Sequence, residues 1–499
     1  MTSFWKKQPA LLYGLALYLG IVLAIGHLWS LFPIFLIGTS LILGQEIRRF
    51  LLFALMLISA FGFIHMAIVL PPDTPIDGTA HIHISSIKPY RSRFNEGYIY
   101  QGTLKSFSSG HVVARNVPFS LKFPRKKNVT RPLANCDYIV QATLRKSDRG
   151  HVYLSVKKGT EWNAVPWTWS PAEWRMQNKM NVRQYINEKI PHQKSAPFLC
   201  GIATGLFDDN TLHVELSRFG LQHIMAISGF HFALVALLLS LGARCFLTEK
   251  SAASVVVILL TLYFIFLGVT PSILRAWIMA TIFFMGTVLE KQSRPLNSLG
   301  IALIVVLTLD PLSVSTIGFQ FTFLVTGSIL LFYSPIESAL RPLMKKRSLS
   351  QLVQMDLFNQ HGYVVLNALR KILALTISVQ IVAAPLILFL FQKFPLMSLI
   401  YNAFFPFLVS ISIFLLLIGL FLSPVSPVAN LIHAINSAYT EYVLNLAYQM
   451  PMSLDFWVRM ESFSASLLVV YFCFVMTVGI LMRGWMENRQ MERRDLAFV

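Results

Sequence analysis

Seven polar residues, His223, Ser228, His231, Arg275, Asp310, Gln320 and Asn402, each interrupt or border a long apolar run. Such groups are costly in lipid, so they face a bundle interior or a water-filled path. Ser228 and His231 lie three residues apart and share a helical face, with Gly229 between them allowing close packing or a break. The same pair could serve a hydrolase as nucleophile and base. However, AISG at 226–229 lacks the preceding glycine of G-x-S-x-G. Arg275 in PSILRAW either reaches lipid headgroups or pairs with Asp310. Gln320 and Asn402 either tie helices together or join a path. His223 reads as a cap or interface histidine, or as a path residue. Their shared depth in the expected spans points to a polar vestibule open to the outside.

Those positions need membrane helices to hold them. The 499 residues include 42 Lys and Arg against 23 Asp and Glu, a net charge of +19. Apolar residues make up 55%, charged residues 13%, and mean hydropathy is +0.60. Soluble domains carry about 25% charged residues, so a cytosolic enzyme, a disordered chain and a coiled coil are excluded. Spans are expected at 10–29 and 50–70, with a short apolar run at 31–44. More follow at 222–243, 252–269, 272–289, 296–314, 316–335, 372–391, 396–421, 427–450 and 463–482. Within 427–450, Glu441 and Asn445 share a face. The broken segment 198–220 reads as re-entrant or interfacial. Basic clusters in the membrane-region loops fall on one side, taken as cytoplasmic, together with the C-terminus.

Between the first and later spans the composition changes. Residues 71–165 hold 15 Lys and Arg and 6 Asp and Glu, net +9. Period-2 alternation marks five strands near Ile82–Ile87, Tyr98–Leu104, Val112–Phe123, Tyr138–Leu144 and Val152–Val156. Five short strands suit a small OB-like barrel, with a sandwich as the competing arrangement. Lys122, Arg125, Lys126 and Lys127 form the densest basic run, either a DNA contact or a solvated loop. Tyr98 and Tyr100, with Phe119 and Phe123, either stack bases or fill the core, and core is favoured for the two phenylalanines. His81 and His83 share a strand face without further evident ligands, so a surface pair is favoured over a metal site. A Trp- and Pro-rich linker then leads to an amphipathic helix around 175–190. The expected fold is a polytopic α-helical membrane protein of about 12 spans with an inserted all-β extracytoplasmic domain. Its divisions are 1–70 (N-terminal helices), 71–165 (OB-like β domain), 166–197 (linker and amphipathic helix), 198–482 (main membrane domain) and 483–499 (cytoplasmic tail). With no Walker loop, H-E-x-x-H or Cys-x-x-Cys pair, neither an ATP site nor a metal or other cofactor is expected. Four cysteines do not make a disulfide framework.

The string GLQHIMAISGFHFALV at 220–235 resembles the signature of the ComEC DNA-internalisation family. The matching positions are Gly220, Leu221, His223, Ala226, Ile227, Ser228, Gly229 and His231. PSILRA follows in the family's order through Pro271, Ser272, Arg275 and Ala276. RPLNSL, DPL and GFQFTF resemble later blocks, and Gln380, Pro385, Asn402 and Pro406 a still later one. Phe230 and Phe232 depart from the commoner residues around His231, and GLFDDN at 205–210 follows its block only loosely. The resemblance implies a non-enzymatic inner-membrane channel for uptake of single-stranded DNA during natural transformation. It implies membrane lipids and periplasmic or surface DNA-delivery proteins as partners. Many family members carry a metallo-β-lactamase-like domain with an H-x-H-x-D-H motif that is not found here. Strand degradation is therefore expected from a separate nuclease, and driving force from a helicase or cytoplasmic DNA-binding proteins. The other readings are a small-solute or lipid-precursor transporter, which needs a midplane site, and an intramembrane serine hydrolase using Ser228 and His231.

Overall fold

The computed structural model describes every residue except 1, 92–95, 126–130, 148–150, 158, 193, 208–209, 226, 228, 344–346, 348–350, 352, 452, 454 and 496–499. The side chains of 487–495, among a few others, are likewise not described. The chain is mostly helical, with one small β domain.

The β domain follows from the alternation. Strands β1 (Ile76–Arg91), β2 (Glu96–Ser109), β3 (His111–Pro124), β4 (Tyr138–Lys146) and β5 (Val152–Val156) contain all five expected segments. β1 pairs with β2, β2 with β3, β3 in parallel with β5, β5 with β4, and β4 returns to β1. This closes a ring, which removes the exposed edges that invite aggregation. A short β6 (Asn163–Ala164) adds to β4. Alternate residues Ala80, Ile82 and Ile84 point inward with Leu104, Phe107 and Val140, all buried. Their neighbours His81 and His83 therefore point outward. The register steps from His81–Ser106 to Ile82–Leu104, leaving Lys105 as the extra residue of a β-bulge.

Four helices precede the barrel: α1 (Thr2–Lys7), α2 (Pro9–Ala24), α3 (Leu31–Leu43) and α4 (Ile47–Ala67). After it come α5 (Ala172–Lys189), α6 (Ser195–Thr204), α7 (Asn210–Arg218) and α8 (Gln222–Met225). The remaining helices are α9 (Gly229–Arg244), α10 (Glu249–Leu267), α11 (Pro271–Val288), α12 (Pro295–Leu309), α13 (Ile317–Leu340), α14 (Leu357–Phe391), α15 (Ser398–Phe421), α16 (Ser426–Tyr448) and α17 (Ala465–Asp495). Among the described residues, seven stretches are long and apolar enough to cross a membrane: α4, α10, α11, α13, α14, α15 and residues 465–486 of α17. α2, α6, α9, α12 and the stretch 28–43 are shorter apolar helices.

Several expected boundaries change. The span expected at 222–243 is divided, with α9 starting only at Gly229, so 16 residues remain. At 1.5 Å per residue they reach about 24 Å, short of a hydrocarbon core of about 30 Å. The expected span 427–450 is replaced by α16, long enough but too polar to qualify among the described residues. His433, Asn436, Ser437 and Thr440, at i, i+3, i+4 and i+7, are fully buried along one of its faces. The segment 198–220 forms the short helices α6 and α7 rather than one span. Much of the expected 336–371 loop is helical, because α14 already begins at Leu357 and runs for 35 residues.

Glycines set the closest helix approaches. A Cβ on Gly300 of α12 would overlap the backbone of Ala10 and Leu11 in α2. α2 is thus part of the main bundle rather than a loose leader. Gly300→Val should separate the two helices and cost about 3 kcal/mol through overpacking. This is measured as a drop in melting temperature of the purified full chain, and an unchanged midpoint would show that the helices do not touch there.

α5 joins the barrel to the bundle. Arg131 donates two bonds to the Glu173 carboxylate, at 2.9 and 2.5 Å. Burial works against the Glu173 charge, but these bonds and one from the Ala134 N–H hold its carboxyl below the ordinary value. Arg175 donates to Ser85 O of β1 and to Ile265 O of α10, and Lys179 donates to Leu267 O. The C-terminal end of α10 therefore lies beside the barrel. Val69, just after α4, pairs with Arg115 of β3, so the end of α4 lies there as well.

Candidate functional site

The junction of α9, α11 and α13 sits on this barrel side. Arg275 is one turn into α11, whose start follows the barrel-side end of α10 by a short loop. Its side chain is buried, with the residue 8% exposed. Nη1 donates to Thr322 O at 2.6 Å and to the Thr326 hydroxyl, both on α13. Nη2 lies against Gly229, the first residue of α9, where a side-chain Cβ would overlap it. A side chain at 229 would therefore have to displace the Arg275 guanidinium. His231, two residues on, is buried in the same helix start. Ile227, Phe232, Ile273 and Ala276 surround the junction as one apolar cluster.

The other expected path residues are placed differently. Asp310 is exposed and does not pair with Arg275, whose bonds go to α13 instead. Gln320 spends its amide locally, donating to Val314 O at 3.2 Å. His223 is exposed on the four-residue α8, bonded to Gly220 O at 3.2 Å. Asn402 is half-buried on α15, one turn from Ser398, and among the described residues neither Asn402 Oδ1 nor Ser398 Oγ finds a hydrogen-bond partner. Ser228 lies outside the described residues. Of the six described, His231 and Arg275 are the two that this junction brings together.

The barrel corrects part of the expected DNA contact. Tyr100 is fully buried, donates to Pro132 O at 2.7 Å, and packs against Phe123 and Trp162. It cannot offer a face to a base. The Tyr98 ring is covered by the Arg131 guanidinium, 4.9 Å from its centroid. Lys122 and Arg125 are exposed, and Arg125 pairs loosely with Glu96 at 3.6 Å. Lys126 and Lys127 lie outside the described residues. Phe119 is core, as favoured.

Two polar clusters escaped the sequence reading. On the barrel, Asp137 at the start of β4 has a side chain only 1% exposed. It takes His83 Nδ1 at 2.6 Å and Lys105 Nζ at 2.6 Å, with His81 Nε2 at 3.6 Å. The bulge aims Lys105 at this carboxylate. His81 and His83 are thus not a bare surface pair, because both lie against a carboxylate that Lys105 also reaches. In the bundle, α16 is fastened to residues 185–195 along one face. Its Asn430, His433, Ser437, Glu441 and Asn445 meet Lys189, Tyr185, Ser195, His192 and Lys194 in turn. The Glu441–Asn445 face noted in the sequence is the end of this stripe. Its spacing was legible, although the stretch was read as a span.

The family model for "Competence protein" matches residues 208–485, more than half of the chain. That region holds α9, α11, α13, α15 and α16. ComE operon protein 3 of Bacillus subtilis (strain 168) is 28% identical over 191 residues, 37% of this chain and 23% of that protein. The match therefore spans less than a quarter of that relative's length. No solved structure is significantly similar. The ordered motifs from Gly220 to Pro406 fall within the matched region, and the chain belongs to the competence protein family, the ComEC/Rec2 family.

Proposed function

We propose that this chain is a multi-pass inner-membrane channel that admits a single DNA strand to the cytoplasm, with its C-terminus cytoplasmic. The observation that carries the reading is the coincidence of the family-matched region with the junction that buries Arg275 on the barrel side. A buried cation is costly in a bundle that carries only apolar solutes, and it suits a polyanion. The barrel, net +9 by sequence, adds a field that attracts phosphates through counterion release. We read it as OB-like, which its ring order of β1, β2, β3, β5, β4 supports. Lys122 and Arg125, exposed at the end of β3, remain the candidate barrel contacts, in place of Tyr98 and Tyr100. The channel itself performs no covalent chemistry; a separate nuclease supplies the strand, and a helicase or DNA-binding proteins retain it.

Labelled duplex DNA given to cells lacking the chain should accumulate outside the inner membrane, with labelled cytoplasmic strand reduced at least a hundredfold, about 2.7 kcal/mol if expressed as a free energy. Cytoplasmic entry at the parental level would defeat the channel reading. It would favour the transporter reading if uptake of a small solute were lost instead.

A further inference from the structure

α5 has the composition of a surface helix, yet its contacts carry it through the bundle. Its barrel end is fixed, since Arg175 donates to Ser85 O of β1 and to Ile265 O near the end of α10, and Lys179 donates to Leu267 O. Its other end meets α15 and α16. Ile186 and Ile190 pack with Leu416 and Leu420 of α15. Tyr185 reaches His433 at 3.2 Å and Lys189 donates to Asn430 at 3.0 Å, both in the first half of α16.

Those contacts lie away from the barrel. The bonds from Arg275 to Thr322 and Thr326 place the start of α13 on the barrel side, with that of α11. α13 and α14 are antiparallel, because Ser328 donates to Ser378 O and Arg370 pairs with Glu337. α14 therefore ends on the barrel side, and α15 begins there after the short segment 392–397. α15 is long and apolar enough to cross to the far side. α16 returns against it, with His433 packed on Gly419 and Thr440 bonded to Ser412. Residues 185–190 thus stand toward the far end of the bundle. The 18 residues of α5 cover about 27 Å, against a hydrocarbon core of about 30 Å.

One face of α5 is settled by packing, with Ala172, Met176 and Ile186 buried. The opposite face is polar. Gln177, Asn181, Gln184 and Glu188 recur at i, i+4, i+7 and i+11, and all four are exposed. Trp174 heads this stripe at the barrel end, and Met180 beside it is an exposed apolar neighbour. Three side-chain amides and a carboxylate are costly against acyl chains, so at this depth they belong beside water. The amides also suit a moving occupant. They donate and accept hydrogen bonds without charge, and a passage must hold what crosses it loosely enough to release it. Arg175, Lys179 and Lys189, cations that would grip a polyanion, are engaged elsewhere, by backbone carbonyls and Asn430.

We propose that α5 is a wall of the passage. It crosses the bundle from the barrel to the far side, and Gln177, Asn181, Gln184 and Glu188 face the water and the single DNA strand that move past them. This deepens the channel reading and rests on it for the strand, while the wet stripe itself does not.

The test uses the full chain in membrane vesicles of known orientation. Single cysteines are introduced at exposed positions, and the parent with its four native cysteines sets the background. The probe is a charged, membrane-impermeant methanethiosulfonate. Asn181→Cys and Gln184→Cys should react at least about tenfold faster than Leu262→Cys and Phe407→Cys, which replace exposed apolar residues of α10 and α15, because the reacting thiolate forms in water and not in hydrocarbon. Gln177→Cys should react from the barrel side, and Glu188→Cys from the opposite side. Oligothymidylate should slow the labelling of Asn181→Cys severalfold. Labelled Asn181→Cys should take up about tenfold less DNA strand than the equally treated parent, since the adduct narrows the passage.

Reaction at Asn181→Cys and Gln184→Cys as slow as at the two apolar positions would overturn the proposal. So would reaction of all four stripe positions from the barrel side alone, which is the behaviour of a helix lying on the membrane surface. Oxidative cross-linking of Asn181→Cys between two copies, with labelling blocked, would assign the stripe to a second copy of the chain and overturn the wall. A wet stripe reached from both sides, whose adduct leaves strand uptake at the parental level, would overturn the wall and leave the channel standing. A wet stripe in a parent that takes up no strand would overturn the strand as occupant together with the channel reading.

Discussion

Replacing Asp137 by alanine should destabilise the β barrel by about 1–3 kcal/mol, because its partners Lys105 and His83 remain partly solvated when the carboxylate is removed. Lys105 and His83 each stand 2.6 Å from this carboxylate. Without it, Lys105 is left on its bulge with no countercharge, and β1, β2 and β4 lose the group that ties their outer faces together. Hydrogen exchange in the full chain should quicken across these strands and leave the amides of α10 and α11 protected. Unchanged exchange would mean that the cluster adds nothing to the barrel. The same carboxylate predicts an acid limit. Burial pushes the Asp137 carboxyl up, but the bonds from Lys105 and His83 overcome that and hold it below its usual value. A group lowered in this way contributes stability above its unfolded value, near pH 4, and loses it as pH falls through the folded one. The Asp137→Ala barrel should therefore show a smaller loss of stability between neutral pH and acid than the parent.

The second large effect is expected at Arg218, the last residue of α7. Its guanidinium forks onto Asp455 at 2.9 and 3.0 Å and reaches Glu215 at 2.8 Å, with its side chain 12% exposed. It also donates to Met450 O at 3.3 Å, so α7 is clamped to the segment that follows α16. Arg218→Met keeps much of the stem but strands two carboxylates, and about 3 kcal/mol should be lost. Adding Asp455→Leu should recover part of this, because the coupled pair is then removed as a unit. A double variant no better than Arg218→Met would show that the fork is not the clamp. Since α7 and α8 precede Gly229 in the chain, the proposed channel function makes DNA uptake fall in the single variant and partly return in the double.

Gly300, Asp137 and Arg218 act in different layers of the molecule, yet all three hold what surrounds the Arg275 junction. α2 closes the bundle against α12, the barrel joins it through α5, and α7 sets the approach to α9. The polar stripe of α16 completes this frame. Its partners at 185–195 belong to the same connector that carries Glu173, Arg175 and Lys179 up to the barrel.

What the amino-acid order determined on its own was local and periodic. Alternation located all five barrel strands, and apolar runs located the long helices, because each pattern is set by residues within a few positions of one another. The junction residues His231 and Arg275 were visible for the same reason, as polar types in apolar surroundings. Tertiary structure decided which of them meet. Arg275 finds Thr322, 47 residues away, instead of Asp310, and His83 finds Asp137, 54 residues away. The burial of Tyr100 depends on ring closure, and the direction of Lys105 on a bulge that alternation cannot register. α16 looked like a span by length, while its polar face has meaning only against the connector that covers it. Contacts of this kind depend on how whole elements dock, and docking is set by shape and charge summed over surfaces far apart in the chain.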